Sequence, residues 1–203
     1  MIETQPTLGS EIGKVFSLLL RNRAAAWDRL RRGMGVLRAR RQLRNCTLGS
    51  RVNVLGSVRV VAVGTVKIGD RVNFWEGTIP QEIVCDEGAQ VTIGARTVFN
   101  YGVSVRAKAA ITIGDRCMFG SLVLLHDSNR NKTAPITIGN DVWVAHGVII
   151  EPGVSIGEGS VIGAGSVVTE SVPPFSLATG NPARSQPLAD DAAVTGERRP
   201  KAS

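Results

Sequence analysis

From Leu48 onward an apolar residue recurs every six positions. The anchors are Leu48, Val54, Ile68, Phe74, Ile93, Phe99, Ile113, Phe119, Ile138, Val144, Ile150, Ile156 and Ile162. Four residues after them stand Val52, Val58, Val72, Thr78, Thr97, Val103, Cys117, Val123, Val142, Val148, Val154, Ser160 and Ser166, all small or β-branched. One residue after the anchor, ten of the thirteen are Gly, Ala or Glu. A fixed short period decides the fold before any local propensity does. Six-residue units of this kind build a narrow triangular tube. The anchor fills the interior, the small residue fits a corner, and the glycine needs little bulk or an unusual backbone angle. Three units make one turn, and turns stack at the usual strand spacing of about 4.8 Å. The spacing therefore predicts an all-β solenoid, a parallel β-helix.

A longer rhythm sits on the short one. Ile-Gly pairs begin at Ile68, Ile93, Ile113, Ile138 and Ile156, with steps of 25, 20, 25 and 18 residues. The 18-residue step is the bare turn. The 20-residue step needs a small bulge. The two 25-residue steps need loops, expected near Pro80–Gly88 and near Asp127–Pro135. Loops thrown from a rigid repeat are where function concentrates.

Ahead of the repeat the period changes. Phe16, Leu19, Leu20, Trp27, Leu30, Met34 and Leu37 fall three and four apart or in simple multiples, the stripe of an amphipathic helix. Gly33 and Gly35 weaken its middle. The divisions are a disordered 1–10, a basic helical extension over 11–46, the β-helix over 47–172, a closing segment over 173–186 and a disordered tail over 187–203. Pro173-Pro174 is expected to stop the sheets.

Charge sharpens the extension. The chain carries +7 overall, and ten arginines against the single acid Asp28 fall between Arg21 and Arg51. The first reading is a helix that packs its stripe on the tube. The second is peripheral contact with an anionic membrane surface. Nucleic acid is set aside, because the arginines lack interleaved aromatics and a recognition motif. No apolar run approaches the roughly 20 residues of a spanning helix. No basic-then-apolar start resembles a signal peptide. Cys46, Cys85 and Cys117 are widely spaced and read as reduced thiols of a cytoplasmic protein.

Three runs carry a resemblance: Ile138-Gly139-Asn140-Asp141-Val142-Trp143-Val144, Val161-Ile162-Gly163-Ala164-Gly165-Ser166-Val167-Val168, and Gly180-Asn181-Pro182-Ala183-Arg184. With the hexapeptide period, they resemble the hexapeptide-repeat acyltransferases over residues 48–186. The similar branch includes galactoside, maltose and xenobiotic acetyltransferases and polysaccharide O-acetyltransferases. The resemblance implies a left-handed β-helix and a homotrimer with sites between subunits. It implies acetyl-CoA as donor, a saccharide or glycan-precursor hydroxyl as acceptor, and no metal. A cytoplasmic location follows, with the inner membrane face as the place of any membrane contact. A gamma-type carbonic anhydrase shares the repeat but needs three zinc histidines, and this chain has two. A non-catalytic trimeric scaffold and an acyltransferase with a non-sugar acceptor remain as alternatives.

Acyl transfer to a hydroxyl needs a base near neutrality. The candidates are His126, which opens the second long loop, and His146, two residues past an anchor. The family's base falls a few residues later than His126, where Arg130 and Asn131 stand here. Asp127 is a candidate to orient a histidine, or a turn-former. Asn100 matches an acceptor-contacting position, and Trp143 should point outward to stack on a sugar or on CoA. The resemblance assigns the donor groove to Ala145, Gly163, Ala164 and Thr169. It brings Arg184 to the CoA phosphate, while Glu170 replaces the usual Lys.

Overall fold

The computed structural model describes residues 33–188. A helix over 33–42 leads into about six turns of a left-handed parallel β-helix with three sheets. Sheet A stacks Thr47–Leu48, Thr65–Ile68, Gln90–Ile93, Ala110–Ile113, Ile136–Ile138 and Ser155–Ile156. Sheet B runs from Asn53–Val54 through Phe74, Phe99, Phe119 and Val144 to Val161–Ile162 and Ser176–Gly180. Sheet C stacks Val58–Ala62, Gln81–Cys85, Ser104–Ala107, Leu124–His126, Ile149–Ile150 and Val167–Val168. The six-residue period is visible as three inward columns. In sheet A the column is Ile68, Ile93, Ile113, Ile138 and Ile156. In sheet B, Phe74, Phe99 and Phe119 stack with centroids 5.2 and 4.9 Å apart. In sheet C, Ile83, Val105, Leu125, Ile150 and Val168 line up. These columns are buried and form one continuous core.

The anchors point inward as the period predicts, with Leu48 half-buried at the open end. The small corner residues are buried too, except Thr78, which the first loop carries outward. The glycine after each Ile is required for space, not for backbone angle. A Cβ on Gly69 would lie 2.8 Å from the amide of Ala95, and one on Gly139 would lie 2.7 Å from that of Glu158. The left-handed angle falls two residues later, at Arg51, Arg71, Arg96, Arg116 and Asp141.

The second long loop lies where expected, over 127–135. The first does not. Gln81–Cys85 is a strand of sheet C, paired with Val58–Ala62 and with Ser104–Ala107. The extra residues leave the tube at two corners instead, over 75–80 and over 86–89. The prolines do not end the tube either. Val172 bridges Ile156, and Ser176–Gly180 continues sheet B before Ala183–Pro187 folds back antiparallel. Pro173-Pro174 occupies a corner, where no ladder hydrogen bond is asked of it.

The helix packs on the tube, but with another face. Gly35, Ala39 and Leu43 are buried against the first turn, while Met34 is 40 % and Leu37 66 % exposed. A Cβ on Gly35 would collide with the Asn53 amide and the Val54 carbonyl, so this glycine permits the approach. Arg38 donates to the carbonyl of Leu55 at 2.9 Å, and Gln42 accepts from the amide of Val58 at 2.7 Å. The rest of the predicted stripe, Phe16 to Leu30, lies outside the described residues, as do the predicted disordered 1–10 and all of the predicted disordered tail but Pro187 and Leu188. Those two extend the closing strand instead: Pro187 pairs with Ser176, and the amide of Leu188 donates to the carbonyl of Phe175 at 2.8 Å. The three cysteines are free thiols, and burial pushes those of Cys46 and Cys117 up to about 11.

The phenylalanine stack should dominate stability. Phe99→Ala removes its centre and is expected to cost about 3–5 kcal/mol. Thr112→Ala, on the exposed face of sheet A, should stay within about 0.5 kcal/mol. Chemical denaturation of both variants checks the contrast.

Candidate active site

The predicted site residues fall at two edges of sheet C. At the edge facing sheet A, His126 ends the strand Leu124–His126 and sits beside Arg106 in the ladder. Its Nε2 lies 3.0 Å from the Ser104 hydroxyl. That hydroxyl lies 3.4 Å from Oε2 of Glu82, which also accepts from Nε and Nη2 of Arg106 at 2.9 and 2.5 Å. Arg106 holds the Glu82 carboxyl below its usual range. Burial lowers the pKa of His126, and the Arg106 charge lowers it further. The imidazole is therefore neutral near pH 7, the form a base requires. It faces an open cleft of about 530 Å³ that Arg106, Lys108, Asp86, Asn129 and Arg130 help to line.

The 127–135 loop that walls this cleft is braced at both ends. Asn129 accepts from the amides of Asn131 and Lys132 and donates to Glu151 at 2.9 Å. Asp127 is fully buried, and its two oxygens accept from the amides of Lys108 and Ala109 at 2.7 and 2.8 Å. The carboxylate thus bridges to the preceding turn. It does not hydrogen-bond a histidine, so the turn-forming reading of Asp127 is the one the geometry supports. Two part-buried amides depend on it.

The other edge of sheet C, where it meets sheet B, gathers the remaining residues. Trp75, Asn100, Gly120, Ala145, Gly163 and Thr179 succeed one another turn by turn along this corner. Asn100 is exposed, and its side-chain oxygen accepts from the amide of Tyr101 at 3.1 Å. Trp143 is half-exposed and lies beside exposed Met118 on the outer face of sheet B. His146 is exposed, and it has no direct bond to His126. Gly163 is fixed by its neighbour, because a Cβ there would lie 2.6 Å from the Thr179 methyl. The amides of His146 and Ala164 have no hydrogen-bond partner among the described residues and stand open at this corner. Small side chains and open amides suit an amide-bearing extended ligand such as pantetheine. Thr169 is elsewhere. It follows Val168 in register with Glu151 and His126, on the first edge. Arg184 is exposed and lies 3.7 Å from Glu170, which partly neutralises it.

Sequence reasoning missed Ser104, Glu82 and Arg106. Their signal was the 22-residue offset from Glu82 to Ser104 and from Ser104 to His126, which matches none of the Ile-Gly steps.

The bacterial transferase hexapeptide profile (six repeats) matches residues 135–170. Nodulation protein L of Rhizobium leguminosarum bv. viciae is 37 % identical over 151 residues, 69 % of this chain and 76 % of that protein. The namesake of Rhizobium meliloti is 40 % identical over 111 residues, 49 % of this chain, and this chain spans 61 % of its length. The crystal structure of the polysialic-acid-specific acetyltransferase superposes with a TM-score of 0.53 at 32 % identity, covering 70 % of this chain and 80 % of that one. A GDP-perosamine N-acetyl transferase mutant from Caulobacter crescentus, in complex with CoA and GDP-perosamine, superposes at 0.52 and 26 % identity, covering 66 % and 56 %. The chain belongs to the hexapeptide-repeat transferase family. Its relatives and structural neighbours at this level of likeness include acetyltransferases.

Asp127→Ala would leave two amides unpaired and should cost about 2–3 kcal/mol, read as a lower denaturation midpoint. Asp127→Asn, which keeps one acceptor oxygen, should recover part of that loss.

Proposed function

We propose that this chain is an acetyl-CoA-dependent O-acetyltransferase that acts on a hydroxyl of a saccharide or glycan precursor. One observation carries the reading: a neutral imidazole, His126, held on a rigid strand at an open cleft in a family of transferases. Acetyl-CoA supplies the acyl group as a thioester. His126 takes the proton of the acceptor hydroxyl as its oxygen attacks, and returns it to the sulfur as the C–S bond breaks. Arg106 and Arg130 bring positive charge to the cleft that receives the acceptor. Trp143 and Asn100 contact the acceptor or donor at the other corner. Ala145, Gly163 and Ala164 form the pantetheine groove, with the open amides of His146 and Ala164 as donors. Thr169 and Arg184 lie further along the donor's path.

The two half-sites stand at opposite edges of sheet C within one chain. A homotrimer joins them, by bringing the His126 edge of one copy against the Trp143 corner of the next. The outer faces support this. Sheet A shows water a column of Thr47, Lys67, Thr92, Thr112, Thr137 and Ser155. Sheet B instead shows Val98, Met118, Trp143, Val161 and Leu177, and sheet C shows Leu124, Ile149 and Val167. Contiguous apolar columns of this kind mark contact surfaces.

The extension belongs to the same reading. Met34 and Leu37 face away from the tube on a helix that also carries Arg38, Arg40 and Arg41. An apolar edge beside cations fits the inner face of an anionic membrane, and a CoA donor fits the cytoplasm. No helix among the described residues is long and apolar enough to cross a bilayer.

Release of CoA thiol in the presence of sugar acceptors tests the activity. His126→Ala should lower kcat by about 10²–10⁴, the usual contribution of a general base, while His146→Ala should leave most turnover. The acid limb of kcat/KM should fall below the ordinary imidazole value of about 6.5, because the folded site disfavours the proton. Absence of acetyl-CoA binding at millimolar concentration would sink the reading. Separately, sedimentation with anionic vesicles should exceed that with neutral ones, and Leu37→Glu should weaken it. Equal sedimentation with both rules out the membrane contact.

A further inference from the structure

The hydrogen bonds behind His126 decide which of its nitrogens can act. The Ser104 hydroxyl has one proton and two neighbours, Nε2 of His126 at 3.0 Å and Oε2 of Glu82 at 3.4 Å. Two arrangements are open. In the first, Ser104 donates to Nε2. Glu82 then loses a donor, and the proton on Nδ1 has no partner among the described residues. In the second, Nε2–H donates to the Ser104 oxygen and Ser104 donates to Glu82. Both contacts are then hydrogen bonds, and only the bare lone pair of Nδ1 remains free. A carboxylate can only accept, and Glu82 is kept ionised by the paired guanidinium of Arg106, with Arg59 at 3.6 Å. The negative end of the chain therefore draws both protons toward itself. Ser104 is itself nearly buried, so its hydroxyl has these two neighbours to serve.

We propose that Glu82 and Ser104 are positioning residues that fix His126 as the Nε2–H tautomer and leave Nδ1 as the base. The inference rests on the reading of His126 given above. In the step it serves, the acceptor's proton passes to Nδ1 as the new C–O bond forms. The imidazolium carries that charge against the Glu82 side of the relay. The proton then leaves from Nδ1 to the sulfur as the C–S bond breaks. Ser104 keeps its proton throughout and is not a nucleophile, because the carboxylate faces Ser104 instead of the far nitrogen of the histidine, reversing the order that activates a serine.

The chain's two histidines make the test direct. The protein is labelled with 15N-histidine, and the ring nitrogens are followed by NMR through a pH titration, with His146→Ala supplying the assignment. The wild type should show His126 with a protonated Nε2 and a bare Nδ1 above its titration. Ser104→Ala should mix the two tautomers and lower kcat about tenfold, the rate equivalent of one neutral hydrogen bond, with KM unchanged. Ser104→Thr, which keeps the hydroxyl, should restore the tautomer. Glu82→Gln should move the acid limb of the pH profile further down, since the imidazolium loses an anion. A wild-type Nδ1–H tautomer, with turnover still lost in His126→Ala, overturns the relay alone. Full turnover in His126→Ala overturns the base assignment itself.

Discussion

Every turn of this tube must close on the same triangle. The ladder hydrogen bonds between turns demand it, because each residue of a sheet is fixed against the one above and the one below. Three inward columns fill the triangle, with the small corner residues buried between them. The phenylalanine stack shows how tightly: its rings lie within 10° of parallel at one turn's spacing. The same constraint sets the glycines, since at the corner the backbone of the next turn occupies the space a Cβ would need. Extra residues therefore have only the corners by which to leave.

That rule explains what was legible in the sequence. Inward anchors are read by hydrophobicity alone, so the period gave the sheets and their interior. A 25-residue step, by contrast, reports how many residues are extra and not where they leave. The first excess divides between 75–80 and 86–89, and Gln81–Cys85 between them is an ordinary strand with alternating burial. Gln81 sits buried in a position the period reserves for apolar residues. It stays there because its amide nitrogen donates to the carbonyls of Trp75 and Asn100 at 2.5 and 3.3 Å, holding the departing segment to its neighbour. A polar residue at a corner thus hid a strand. The helix misled for a related reason. Met34 and Leu37, the described part of its stripe, lie off its packing face, where Gly35 comes close to the Asn53 amide and the Val54 carbonyl and Ala39 and Leu43 are buried.

The candidate site was half legible. Residues named by motif, such as Trp143 and Ala145, lie on turns of regular length. Arg106 stands one 20-residue turn below His126, and Glu82 a 22-residue register step below Ser104, but they are outward polar residues, and the hexapeptide period marks only the inward ones. Asp127 was visible as chemistry, but its use depends on the two amides one turn below, which only the stacking brings within reach. Its burial also explains why the loop can begin directly after His126: the chain turns outward around a carboxylate bonded to the layer beneath.

Standing on a strand changes how a histidine is held. A histidine on a loop is oriented by the loop's own contacts and by whatever closes over it. His126 is oriented by its ladder neighbours, since Arg106 is its register partner and Ser104 lies diagonally below. The stacking that fixes the core thus also fixes the ring. The tube that holds His126 so firmly keeps it a full sheet's width from Trp143 and the open amides. The proposed homotrimer answers that separation, since the neighbouring copy supplies the corner that this edge lacks. The apolar outer columns of sheets B and C, on the two faces that meet at the Trp143 corner, are where such a copy would sit.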